Sequence, residues 1–261
     1  MPTVTFQGVA VACTTLDGAV NMLLSKTKEP LGAVRLANAY TFALAARNSD
    51  YLTVLRGPGV TLPDGAPLSA TLRVLARRRQ IGCRPCRVRG PSLFAAALQQ
   101  GVSRKTRHFL AGSTPETLAL LEQAIHRVAP GVQIAGSFSP PFEPPTQATV
   151  VTLAAKVKTS EADIVWLGLG TPRQDVLAAL LAEHVDIPVV GVGAAFDFQA
   201  GTIREAPLAL QRLGFEWAFR LAQEPRRLLS RYTVGNATFL RLIARELSGK
   251  PAGLSDGGDG T

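Results

Sequence analysis

What the chain lacks narrows its class before anything it contains. Its cysteines are Cys13, Cys83 and Cys86 only. So small and odd a number argues against a disulfide framework and fits a reducing compartment. The pair in "CRPC" (83–86) is half of a redox or metal site at most. With Cys13 far away and His108, His126 and His184 scattered, no four-ligand set forms, and the pair reads as structural or incidental. No run of about eighteen apolar residues occurs, so no membrane span is expected. The opening "MPTVTFQGVAVACTT" has neither a basic n-region nor an apolar h-region, which predicts a cytoplasmic protein. There is no Walker A pattern. After Gly168 and Gly170, the third glycine of a dinucleotide fingerprint is replaced by Arg173, which counts against a nicotinamide enzyme. Aromatics make up 6% of the chain and no nucleic-acid recognition motif appears. No Ser–His–Asp arrangement and no internal repeat can be argued.

What is present is an apolar, basic, globular composition. Apolar residues make up 46%, charged residues 18%, and the formal net charge is +9. That excess points to an anionic partner: a nucleotide, nucleic acid or an acidic membrane surface. Short apolar runs recur at "AVRLAN" (33–38), "YLTVL" (51–55), "RHFLAG" (107–112), "VQIAGS" (132–137), "DIVWLGLG" (163–170) and "IPVVGVGA" (187–194). Helix-period segments separate most of them. In "TPETLALLEQAIHRV" (114–128), Thr114 caps, Pro115 starts, and Leu118, Leu121, Ile125 and Val128 share a face. "TPRQDVLAALLAEH" (171–184) repeats the device with Thr171 and Pro172. Strands without strict alternation, separated by helices, predict a Rossmann-like parallel sheet flanked by helices. "SPPFEPPT" (139–146) reads as a loop. From Pro207 the pattern turns helical, basic and aromatic. The expected division is an α/β catalytic domain over 1–203, a basic helical appendage over 204–248 and a disordered tail over 249–261.

Several positions suit chemistry, each beside a plainer reading. "WLGLGTPRQD" (166–175) leaves a strand through Gly168 and Gly170 into a helix start with Arg173 and Gln174. That is a place for a phosphate, or a short strand–helix turn. "GVGAAFDFQAG" (191–201) leaves a second strand through Gly191 and Gly193. It delivers Asp197, a hydroxyl acceptor or a turn residue. Asp64, between Pro63 and Gly65 in "TLPDGAPL" (61–68), is a held general base or turn chemistry. Residues 73–89 hold seven arginines and no acid. Most read as a solvated helix end, whereas Arg87 leads a short strand "RVRG". Arg220, Arg227 and Arg231 share a face if their helix is continuous, though Pro225 can break it. Trp217, Phe219, Leu228, Leu229 and Tyr232 lie among them, in a membrane-surface helix or one packed on the domain.

Seven stretches occur in order: "NAYTFALA" (38–45), "LPDGAPL" (62–68), "RVRGPSLF" (87–94), "FLAGSTPET" (109–117), "ADIVWLGLGTPRQD" (162–175), "GVGAAFDFQAG" (191–201) and "QRLGFEWAFRLAQEPRRLLSRY" (211–232). In these the sequence resembles the WecG/TagA/CpsF glycosyltransferases, family 26, over roughly residues 5 to 245. The resemblance implies an inverting enzyme, without metal or other cofactor. It would move N-acetylmannosamine or a related sugar from a UDP-sugar to a polyprenyl-diphosphate-linked sugar. The enzyme would sit at the inner face of the membrane, peripherally, on anionic lipid. Asp64 matches the proposed base. Asn38, Thr41 and Gln174 match pocket positions. Arg87 matches a diphosphate candidate, and Arg220, Arg227 and Arg231 match an appendage that closes the site. Gly168, Gly170, Gly193 and Asp197 join the substrate-binding set. Homo-oligomerisation stays open, and no nucleic-acid partner is expected. Two departures stand out. Ser92 replaces the Asp of the "RV-G-DL" pattern. Arg204-Glu205-Ala206-Pro207 replaces Lys-Arg-Ala-Pro, with Ala209 where a Trp is common. The rival reading is a non-catalytic nucleotide- or nucleic-acid-binding α/β protein.

Overall fold

The computed structural model describes residues 1–25, 30–213, 216–223 and 225–248; the side chains of 208, 212, 213, 220 and 225–233 fall outside that description. The chain begins with a hairpin, β1 (Thr3–Phe6) and β2 (Val9–Ala12), turned at Gln7 and Gly8, both with positive φ. Two left-handed residues give the primed turn whose twist matches paired strands. Then come α1 (Leu16–Leu24), β3 (Ala33–Ala37), α2 (Ala39–Ala45), α3 (Ser49–Arg56), β4 (Val60–Pro63), α4 (Ala66–Arg78) and α5 (Gly90–Arg104). The second half runs β5 (Arg107–Gly112), α6 (Pro115–Val128), β6 (Gln133–Phe138), α7 (Gln147–Ser160), β7 (Ile164–Gly168), α8 (Arg173–Ala182), β8 (Val189–Gly191) and α9 (Ala195–Ala200). It ends with α10 (Leu208–Leu213), α11 (Glu216–Gln223) and α12 (Pro225–Leu247).

The eight strands form one sheet in the order β1-β2-β4-β3-β8-β7-β5-β6, parallel throughout except for β1 against β2. The expected Rossmann-like α/β architecture is present. Along β7, Ile164 and Trp166 pack with α1, α5, α6 and α9, whereas Val165 and Leu167 pack with α7 and α8. A strand covered on both faces reads as a continuous apolar run, which is how "DIVWLGLG" betrayed itself. A third core lies under the hairpin. There Phe6, Phe42 and Leu72 meet Phe239 and Leu242 of α12, with the rings of Phe6 and Phe239 5.7 Å apart. Gln7 Nε2 donates to Glu246 Oε2 at 2.7 Å, so the first strand and the last helix hold each other.

Four local expectations need correction. "YLTVL" is helical, inside α3: the Asn48 side chain accepts from the Tyr51 N–H, and Tyr51 and Leu55 are buried four apart on one face. "RVRG" is extended but pairs only once, Val88 N–H to Pro63 O at 2.8 Å, before α5 begins. Thr171 does not cap α8. The helix starts after Pro172 with no side-chain cap. Val128 is half exposed, off the buried face of α6. The cysteine reading changes too. Cys13, just past β2, is bonded to Cys83 after α4, and Cys86 is free.

Candidate active site

A cleft of about 900 Å³ opens where six parallel strands end. Its wall takes Asn38 after β3, Asp64 after β4, Ser113 after β5, Ser139 after β6, Gly170 after β7 and Gly193 after β8. In open parallel sheets, ligands sit outside the carboxyl ends where the winding reverses. Here β5 leads outward to β6 while β7 leads the other way to β8, so β5 and β7 flank such a reversal. At that point the backbones of Gly112 and Gly168 are in contact. A Cβ on Gly112, at φ +130°, would lie 2.7 Å from the Gly168 carbonyl. Only glycine fits there, and β5 and β7 approach closely at their ends as a result.

Asp64 is half buried at the cleft wall. Its N–H donates to Ala37 O at 2.7 Å, which ties the end of β4 to the end of β3. Gly65 follows at φ +92° as the cap of α4, close to Asn38. Asn38 lines the cleft, but its Oδ1 accepts from the N–H groups of Tyr40 and Thr41 and so starts α2. Thr41 is 1% exposed, and its hydroxyl accepts the Asn38 N–H at 3.1 Å. Thr41 therefore stands behind the wall and holds Asn38 in place. Gln174 is buried across the floor. Its Oε1 accepts the Gly170 N–H at 3.1 Å, and its amide packs on Gly191 and Gly193. One side chain thereby couples the two glycine-rich turns. Asp197 lines the cleft in the first turn of α9, where it takes hydrogen bonds from Thr202.

Arg87 is not on the cleft wall. Its Nη1 donates to Gln211 O at 2.9 Å, and its Nη2 is 2.9 Å from Glu216. The arginine that does line the cleft is Arg89, with Glu205 and Glu216 beside it. Arg89 belonged to the basic run 73–89 without a mark of its own, because only the turn into α5 aims it. Arg220, Arg227 and Arg231 lie on α11 and α12, their side chains outside the described residues.

Beneath the β7–α8 turn lies a buried charged group. Tyr51 Oη donates to Asp175 Oδ2 at 2.6 Å, and Arg35, 1% exposed, donates to Pro58 O at 2.8 Å. Burial pushes the Asp175 carboxyl up to about 6, opposed chiefly by the hydrogen bond from Tyr51 and also by the Arg35 charge. Arg35 itself is lowered by burial. An arginine in the middle of "AVRLAN" was the one sequence signal of this group. Among the described residues, no three of His, Cys, Asp and Glu gather where a metal ion could sit, and no helix is long and apolar enough to cross a membrane.

The cleft thus sets Asp64 at the end of β4 across from the glycine-bearing ends of β7 and β8, at the carboxyl edge of a Rossmann-like sheet. Residues 4–252 match the family described as the Glycosyl transferase WecG/TagA/CpsF family, and the chain belongs to it. It is accordingly a glycosyltransferase of cell-surface polysaccharide synthesis, served by a sugar-nucleotide donor and a lipid-linked acceptor.

Proposed function

We propose that the enzyme transfers a hexose, of N-acetylmannosamine, glucose or uronic acid type, from a UDP-sugar to a polyprenyl-diphosphate-linked sugar with inversion. The observation that carries this reading is the position of Asp64 in the same cleft as the glycine-rich ends of β7 and β8. Between β4 and β7 lie three strand spacings, about 14 Å, which a sugar and its diphosphate bridge in extended form. With the diphosphate over Gly168, Gly170 and Gly193, the anomeric carbon faces Asp64. The ionised carboxylate takes the proton of the acceptor hydroxyl as its oxygen attacks that carbon, and the UDP oxygen leaves on the opposite face. Charge developing on the leaving diphosphate is met by the uncapped start of α8 and by arginine. Gln174 keeps both turns fixed while this happens.

The basic segment 204–248 serves, in this reading, as the membrane-facing appendage, with Arg220, Arg227 and Arg231 toward lipid phosphate. Each basic residue near an anionic bilayer is worth about 1 kcal/mol. The reaction needs no divalent cation. The test is a panel of UDP-sugars with a short polyprenyl-diphosphate-GlcNAc acceptor, with and without EDTA. Turnover by the wild type in EDTA, cut by about 10²–10⁴-fold in Asp64→Asn, supports the scheme. Near wild-type turnover by Asp64→Asn overturns it.

A further inference from the structure

We infer that Arg89 is a diphosphate-binding residue whose donors are held by Glu205 and Glu216 until a diphosphate replaces them. This rests on the transferase reading above and deepens it. The backbone bond from Val88 to Pro63 ties residues 87–89 to the strand end that carries Asp64. From there Arg89 reaches the cleft wall. Its Nη2 lies 2.5 Å from Glu205 Oε1, its Nε 2.6 Å from Glu216 Oε1, and its Nη1 donates to Ser92 Oγ at 3.0 Å. Arg87 Nη2 approaches the same Glu216 oxygen at 2.9 Å.

The fit between these charges is poor. The Nε atoms of Arg87 and Arg89 are buried without an aligned acceptor, and Glu216 Oε1 is buried without an aligned donor. Two guanidinium forks thus converge on one carboxylate oxygen, held by charge and unmatched in geometry. A diphosphate offers more oxygens and more charge, in the spread that two forks accept. Two of the positions that depart from the family pattern, Ser92 and Glu205, turn out to be partners of Arg89. The two carboxylates come from the C-terminal side of the cleft and the two arginines from the start of α5. An anion that takes the arginines therefore detaches Glu205 and Glu216 from them. Trp217, next to Glu216, is 40% exposed, whereas Trp166, the other of two tryptophans, is fully buried. Changes in quenching by a neutral quencher thus report on α11.

The experiment titrates the full chain with inorganic pyrophosphate at constant ionic strength and follows tryptophan emission and acrylamide quenching. A saturable rise in quenching is expected. Arg89→Ala should weaken the midpoint at least about tenfold and Arg89→Lys should restore part of it. Removing one competing ion pair by Glu216→Gln, or by the more exposed Glu205→Gln, should tighten it about fivefold. UDP and farnesyl diphosphate, titrated in parallel, tell whether the donor or the acceptor supplies the diphosphate. Sulfate giving the same response, or Arg89→Ala and Glu205→Gln both keeping the wild-type midpoint while melting as the wild type does, would overturn the assignment. Asp64→Asn should respond to pyrophosphate normally. A chain that transfers no sugar yet shows the Arg89 and Glu205 effects would refute the reaction and keep the anion site. Sugar transfer without those effects would do the reverse.

Discussion

His108 provides the sharpest quantitative check on the fold. It lies on β5, fully buried, and its Nδ1 accepts the indole N–H of Trp166 at 3.0 Å. The accepting nitrogen must be unprotonated, so the ring is neutral. Burial pushes its pKa down from 6.5 to about 4, opposed by the Asp163 charge. Below about pH 6.5 the unfolded chain binds a proton that the native ring refuses. Native stability from this site is therefore complete above 6.5 and lost as pH falls toward 4. At pH 4.5 the loss is about 2.5 kcal/mol. Asp175 acts with the opposite sign. Its carboxyl is raised from 3.8 to about 6, so its contribution is complete below 3.8 and lost as pH rises through 6. Both slopes are present in the wild type, so its raw pH profile does not isolate His108. The difference between the wild type and His108→Gln isolates the ring, since Gln keeps an acceptor for Trp166. Urea unfolding at pH 7.5 should find His108→Gln less stable than the wild type. At pH 4.5 that deficit should shrink or reverse by about 2.5 kcal/mol. An equal deficit at both pH values would refute a buried, neutral His108.

Other substitutions test the site and its supports. Asp64→Asn should lower kcat by about 10²–10⁴-fold while UDP still raises the melting temperature, which separates chemistry from binding. Gly112→Ala must push a methyl into the Gly168 carbonyl at a left-handed φ; a loss of about 1–3 kcal/mol in urea midpoint is expected, with weaker UDP protection. Tyr51→Phe removes a donor from a buried carboxylate and should cost about 1.5–3 kcal/mol. Phe239→Ala, in the core under the hairpin, should cost about 3–5 kcal/mol by the same measurement.

Where covalent neighbours decide the structure, the residues announced it. β7 and β5 are apolar on both faces, and Thr114 with Pro115 starts α6, where the Thr114 hydroxyl accepts from the Thr117 N–H. The glycines at the ends of β7 and β8 were visible as letters; Gly170 and Gly193 take positive φ, and a Cβ on Gly168 would meet the Phe196 ring. What escaped depends on partners distant in sequence. "YLTVL" has the composition of a strand, but Asn48 and the pairing of Tyr51 with Asp175, 124 residues away, make it a helix. The hairpin strands "TVTF" and "VAVA" are four residues each and passed unmarked. The Cys13–Cys83 bond needs two elements to meet that are 70 residues apart. In the cleft, Asp64 stood out because its turn is local. Arg89 did not, since Glu205 and Glu216 meet it only after the C-terminal helices fold back.

The junction of β1 with α12 sets a schedule for biogenesis. Phe6 leaves the ribosome well ahead of Phe239, which covers it. Until α12 has also been made, the hairpin edge of the sheet is left with an uncovered oily patch, and a nascent chain in that state invites chaperones. Seating α12 on the hairpin should therefore be a late locking step.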